Sequence, residues 1–278
     1  MRWRAASLVM LAACSRRDAG EAPAQPPPAS PSPSPSPVAA ASPEPKRGGG
    51  KESLRDDERQ RLVEQIQARG VESASVLQAL RAVPRHLFVP DSWTEEAYYD
   101  RPLPIGHGQT ISQPTVVAAM TEAAAPQRGD KCLEIGTGSG YQAAVLAELC
   151  GRVFSIEYLA PLAAQAERAL RRAGYGPDRV ALRTGDGYVG WPEAAPFQVV
   201  LVTAAPECVP GPLLDQLAIG GRLVIPVGAR DQVQALLLYR RKAPGASDAS
   251  FEKRTLMAVR FVPFLGDAGA ATPAATAD

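Results

Sequence analysis

The 278 residues carry 30 basic and 29 acidic side chains, a net charge of +1, and 45% hydrophobic residues. That balance gives no electrostatic case for a nucleic-acid partner, and the length suits one sizeable domain with extensions. Four cysteines (Cys14, Cys132, Cys150, Cys208) without a C-x-x-C spacing, and only two histidines, His86 and His107, argue against a metal site and against a disulfide framework.

Arg2 and Arg4 precede an apolar run, 5–13, that ends at Cys14. The run is too short to span a bilayer as a helix and has the charged start and apolar middle of an export signal. Leu11-Ala12-Ala13-Cys14 resembles the lipobox of bacterial lipoproteins. The resemblance implies a signal over 1–14, lipidation at Cys14 and anchoring to a membrane facing the periplasm. Ser15 after the cysteine is similar to Gram-negative lipoproteins of the outer membrane. Residues 15–50 are dense in Pro, Ser and Ala and cannot build a core, so they read as a disordered tether. At about 3 Å per residue in the polyproline II form, such a tether reaches roughly 100 Å. The small, polar tail 266–278 is expected to be disordered too.

Folding is expected over 51–265. Leu54, Leu62, Val63 and Ile66 fall at helical spacing before Gly70, and Val76, Leu77, Leu80 and Val83 mark a second short helix; both read as covers for a sheet. The Pro-, Gly- and aromatic-rich stretch 84–113 reads as one long loop, a lid or binding loop in a compact domain. A helix over 114–124 follows, with Ser112 just ahead of its first turn. Strands at 132–135, 153–157, 180–183, 197–202 and 221–227 then alternate with helices from Tyr141, over 159–173 and over 212–217. Alternation of this kind calls for a parallel sheet, and two last strands, 234–240 and 256–262, with no helix between them, read as an antiparallel edge hairpin. The fold class is α/β: a doubly wound, mostly parallel Rossmann-like sheet with an antiparallel edge strand and N-terminal helices.

The chemistry concentrates at 131–141. The apolar run Cys132-Leu133-Glu134-Ile135 stops at Gly136-Thr137-Gly138-Ser139-Gly140, and a helical pattern opens at once with Tyr141. Strand, glycine turn and helix in this order leave bare main chain and free N–H groups facing a ligand. Dinucleotides and S-adenosylmethionine (SAM) are both held at such junctions. The spacing here is G-x-G-x-G, not the dinucleotide G-x-G-x-x-G. A carboxylate at Glu134 also suits the cationic end of SAM better than a pyrophosphate. Glu157, ending the next strand, stands where such folds grip a ribose diol. The bland alternative is a structural turn with a capping acid.

The chain from about 53 to 265 resembles the protein-L-isoaspartate (D-aspartate) O-methyltransferases. The resemblance rests on AVPRHLFVP (82–90), LPIGHGQTISQP (103–114), LEIGTGSGYQAAVLA (133–147), GDGYVGWPEAAPF (185–197), VTAAPE (202–207) and GGRLVIPVG (220–228). It implies methyl transfer from SAM to the α-carboxyl of L-isoaspartyl residues in damaged proteins, with an ester that collapses to a succinimide and returns some aspartate. By position it implies Ser112 as the active-site serine. Ile111, Glu134, Gly136, Thr137, Gly138, Ser139, Glu157, Asp186 and Gly187 then fall at cofactor-binding places. Gln198 stands where the family commonly has aspartate, which should weaken a structural contact, and Gly211-Pro212 should shorten a helix.

Such a reaction needs no nucleophilic triad and no metal. The sulfonium methyl is already activated, and the substrate carboxylate is ionised at neutral pH. The protein supplies alignment and exclusion of water. Ser112 can orient the carboxylate, or else serve only as a helix N-cap. Asp186 would sit by the adenine or the reacting end, or stabilise a turn. His86 and His107 shape the loop. Expected partners are isoaspartyl proteins and peptides, and a monomer is expected. The competing readings are a nicotinamide-dependent oxidoreductase, disfavoured by the glycine spacing, and a catalytically silent SAM-fold binding lipoprotein. The family's usual cytoplasmic setting stands as the alternative to export.

Overall fold

The computed structural model describes residues 51–245 and 247–267. The signal, the tether, Cys14 and all but the first two residues of the tail lie outside the described residues. Helices α1 (Lys51–Ala68) and α2 (Ala74–Ala82) open the domain, α2 starting at Ser73, whose hydroxyl accepts from the Val76 amide at 3.4 Å. They bury Leu62, Val63, Ile66, Val76, Leu77 and Leu80 in one core cluster.

The stretch expected to be a loop is more ordered than that. It holds two 3₁₀ turns, Arg85–Phe88 and Asp91–Glu96, and an antiparallel hairpin of β1 (Leu103–Gly106) and β2 (Gln109–Ile111). Strands of four and three residues have too little periodicity to read from sequence. What holds the stretch is Arg85, fully buried. It donates through Nε to the Ala97 carbonyl (2.9 Å) and through Nη2 to the Ser112 carbonyl (2.9 Å), and its guanidinium lies 4.8 Å from the Tyr141 ring centroid. Burial lowers its pKa to about 10, so it stays charged at neutral pH.

The main sheet runs β5 (Val180–Thr184), β4 (Arg152–Glu157), β3 (Lys131–Ile135), β6 (Phe197–Val202), β7 (Leu217–Val227), β8 (Gln234–Arg241) and β9 (Phe251–Val259). Pairs from β5 to β7 are parallel; β7–β8 and β8–β9 are antiparallel. Between strands come α3 (Pro114–Ala124), α4 (Tyr141–Leu149), α5 (Ala160–Arg172) and the short α6 (Gly211–Asp215). Successive strand residues point to opposite faces. Cys132, Val199 and Leu201 therefore join the cluster under α1 to α5, while Leu133, Val200 and Val202 join a second cluster, covered by α6 and aromatic side chains.

Several expectations shift. The last strand spans Phe251–Val259, not 256–262, because Glu252-Lys253-Arg254-Thr255 lies on an exposed edge where polar residues cost nothing and give no apolar signal. The short α6 agrees with the Gly211-Pro212 interruption, and the Gln198 side chain still supplies an acceptor, taking the Lys131 amide at 2.8 Å. The cysteine reading needs correction. Cys132, on β3, and Cys150, just after α4, form a disulfide with Cα atoms 6.3 Å apart, and among the described residues no cysteine is free. Spacing in sequence did not reveal it because the βα unit folds the two ends of an 18-residue separation side by side.

Candidate active site

Strand order reverses between β3 and β6, and the crevice at their carboxyl ends is where open α/β sheets hold ligands. One cavity of about 70 Å³ sits there. Of the residues singled out in sequence, Ile111, Ser112, Glu134, Gly136, Thr137, Gly138, Ser139, Glu157 and Gly187 all line it. Asp186 does not; its Oδ1 accepts from the Tyr188 amide at 2.8 Å, a turn contact.

Glycine is required at Gly136 on two counts: φ is +90°, and a Cβ would come within 2.6 Å of Thr203 Oγ1. The acids are held tightly. Glu134 is fully buried; its Oε2 accepts from Ser155 Oγ at 2.5 Å, and Ser155 shares a 2.6 Å hydrogen bond with Thr137 Oγ1. Its Oε1 is buried with no hydrogen-bond partner, although the Ala143 amide lies near enough to favour ionisation weakly. Desolvation, opposed by the Ser155 hydrogen bond and reinforced by the Glu157 charge, raises the Glu134 pKa to about 8. Gln142 Oε1 is a second buried acceptor without a partner, and Gln142 lines the same cavity. Two orphaned acceptors facing one cavity fit a cationic donor such as an α-ammonium group. Glu157 accepts from the Gly138 amide (2.8 Å) and the Leu159 amide (3.0 Å), which leaves about two of its lone-pair positions for a diol.

Ser112 is not the cap of α3. The N-cap position is Gln113, whose side chain makes no capping bond to the helix, and the work is done from afar by Asp100. Its Oδ1 accepts from the Thr115 amide (2.9 Å), and its Oδ2 from Thr115 Oγ1 (2.7 Å) and Gln113 Nε2 (3.1 Å). Arg85 takes the Ser112 carbonyl, so the serine's backbone is fixed while its hydroxyl, facing the cavity, makes no hydrogen bond among the described residues. His86 shares a 2.7 Å hydrogen bond with Tyr98 Oη, and His107 is exposed at the β1–β2 turn with φ +54°; both shape the loop.

Sequence reasoning missed Gln142, Tyr158, Thr203 and residues 262–265, all of which line the cavity. Gln142 could have been found from its place in the first turn after the glycines. The C-terminal residues carry no local signal. They reach the site because Pro263 bridges to Ala205, Phe264 stacks on Tyr188 at 4.2 Å, and Tyr158 Oη donates to Asp267 at 2.8 Å. Among the described residues no cluster of three or more His, Cys, Asp or Glu could hold a metal.

Residues 57–269 match the family model of protein-L-isoaspartate(D-aspartate) O-methyltransferase. The chain belongs to that family. A protein-L-isoaspartate O-methyltransferase of Opitutus terrae is 55% identical over 214 residues, 77% of this chain and 89% of the relative. One of Gloeobacter violaceus is 54% identical over 200 residues, 72% and 94% of the two chains. A solved protein-L-isoaspartate O-methyltransferase superposes with TM-score 0.68 at 30% identity, covering 75% of this chain and 66% of that one. A Plasmodium falciparum beta-aspartate methyltransferase in complex with S-adenosyl-L-homocysteine shares the fold at TM-score 0.65 and 24% identity, over 75% and 99%. The chain therefore has the Rossmann-like SAM methyltransferase fold, with the strand-turn-helix unit at its cavity.

Proposed function

We propose that the chain transfers the methyl group of SAM to the α-carboxylate of L-isoaspartyl residues, with Ser112 orienting the acceptor. The observation that carries this reading is the Ser112 hydroxyl. It is released from capping by Asp100 and lines the same cavity as Glu134, Glu157 and the glycine turn. SAM, when bound, supplies an electrophilic methyl on a sulfonium. Glu134 and Gln142 would take its ammonium, Glu157 its ribose hydroxyls, and the turn 136–139 its closest main-chain approach. Ser112 would donate to one oxygen of the substrate carboxylate and leave the other free to take the methyl group, with the C–S electron pair left on sulfur. No side chain has to remove a proton, in keeping with the structural roles of His86 and His107. Residues 262–265 and Tyr158 exclude water. A methyl-transfer assay with labelled SAM and paired peptides differing only in Asp versus isoAsp tests it: transfer confined to the isoAsp member is expected, and equal or absent transfer would refute the reading. Separate titrations with SAM and NAD dispose of the oxidoreductase alternative.

We also propose that the protein is a lipoprotein anchored through Cys14 and facing the periplasm. Arg2 and Arg4 before the short apolar run, the Leu11-Ala12-Ala13-Cys14 string and the tether composition support it. So does the Cys132–Cys150 disulfide, since such bridges persist mainly in oxidising compartments. None of the described helices is long and apolar enough to cross a membrane, so anchoring would fall to the lipid. Charged SAM does not cross a bilayer unaided, so an exported enzyme needs imported or leaked SAM. Fractionation with acyl-chain labelling decides: membrane-bound, labelled protein that becomes soluble and unlabelled in Cys14→Ala is the expected result.

A further inference from the structure

Helix α3 packs over β6 and β7, and the sheet continues past it by two strands. Register places Arg222, Arg240 and Glu252 in one cross-strand row, and Val224, Leu238 and Arg254 in the next. Val224 and Val259 belong to the core cluster that includes α3, and Leu238 packs against it, so these rows face the same side as the helix. A groove therefore runs between α3 and β9. Its near end is a cavity of about 490 Å³ walled by Val116, Met257, Val259 and Phe261. Thr110, Ser112, Thr203 and Val262 line both this cavity and the cofactor cavity, so the two are continuous at the reacting serine. Its far end is a cavity of about 370 Å³ walled by Ala123, Gln127, Arg222, Arg240, Glu252 and Arg254.

The charges at the far end are unbalanced. Arg222 is already engaged by the Ala124 and Ala125 carbonyls and by Asp130 (3.1 Å). Glu122, on α3, is turned toward α2, accepting the Glu72 and Ser73 amides. Arg240 and Arg254 have no ion pair among the described residues, Glu252 is the one acid in the wall, and Arg260 adds a further positive charge at the near end. From Val259 to Arg254 is five strand residues, roughly 16 Å, the reach of an extended peptide of the same length. We infer that the α3–β9 groove holds the polypeptide flanking the isoaspartyl residue, and that Arg240 and Arg254 select segments with Asp or Glu about four to five residues away. This deepens the activity proposed above and rests on it.

The test uses the full chain, SAM, and isoaspartyl peptides identical except for Glu, Gln or Lys four or five residues to either side. On one side the Glu peptide should show kcat/KM about fivefold or more above the Gln peptide, through KM, as one or two partly exposed ion pairs deliver. The advantage should fade in 0.5 M salt, where the Debye length is only about 4 Å. The double variant Arg240→Gln/Arg254→Gln should abolish the preference without changing turnover of the Gln peptide or SAM affinity, and Arg240→Glu/Arg254→Glu should invert it toward Lys. Equal rates for the three peptides, or a Glu preference that survives in both double variants, would overturn the proposal. Failure to methylate even the Gln peptide would instead overturn the activity itself, and this selection with it.

Discussion

Glu134 carries an unusual share of the chemistry for one side chain. Its carboxyl titrates near 8, above the ordinary 4.5, so between those values the folded protein holds a proton that the unfolded chain has lost. Its contribution to stability is therefore full below about pH 4.5 and is lost as pH rises through about 8. In Glu134→Gln the curve of stability against pH between those values should be flatter than in wild type, with the variant gaining most near pH 8; urea unfolding at several pH values checks this. Pairing with an ammonium should ionise the acid, so SAM binding at pH 7 should release about one proton from wild type and none from Glu134→Gln, measured by calorimetry in buffers of different ionisation enthalpy. Ser112→Ala should fold and bind SAM normally yet transfer methyl at least about tenfold more slowly, a loss of roughly 1.4 kcal/mol. Asp100→Ala should do the reverse, lowering stability by the roughly 1–2 kcal/mol of a lost cap, read as a lower melting temperature, and sparing turnover per folded molecule. The contrast separates the residue that orients the substrate from the one that holds the helix.

Among the elements, the β3–turn–α4 unit is the one on which cofactor binding depends, and it is closed at both ends. The glycines bring the chain round, Glu157 on β4 ties the Gly138 amide, and the Cys132–Cys150 bridge joins the start of β3 to the end of α4. Cross-linking a loop of this length stabilises by about 3 kcal/mol on the chain-entropy account. Cys132→Ala/Cys150→Ala should therefore unfold at lower denaturant than wild type, with an m-value that is no smaller, because the unfolded chain without the bridge exposes more surface. Equal midpoints for wild type and the double variant would mean that the bridge contributes nothing.

For the whole molecule, the tail of the fold completes the head of the site. Residues 262–265 follow the last strand, more than a hundred residues after the glycine turn, and form part of the cavity wall. A SAM molecule bound in this cavity would lie against that wall. Amide hydrogen exchange over 262–267 should be fast in the free protein and slow on SAM binding. Tyr158→Phe, which deletes the hydroxyl that binds Asp267, should speed SAM association. Identical exchange with and without SAM would show the segment to be a fixed wall.

By itself the sequence determined the α/β alternation, the α3 bounds, the glycine turn, and the acids Glu134 and Glu157, because each is a local matter: hydrophobic period, a backbone angle only glycine tolerates, or a carboxylate at a strand end. It also placed Ser112 at the cavity through family resemblance, while leaving open whether the serine was a cap. Only the tertiary structure decided that, by bringing Asp100 to the helix start and Arg85 to the Ser112 carbonyl. The same holds for the exposed β9, the Cys132–Cys150 bridge and the C-terminal wall. Each depends on groups far apart in the chain, and their pairing is selected by burial and hydrogen-bond satisfaction in the folded whole, quantities that no window of sequence contains.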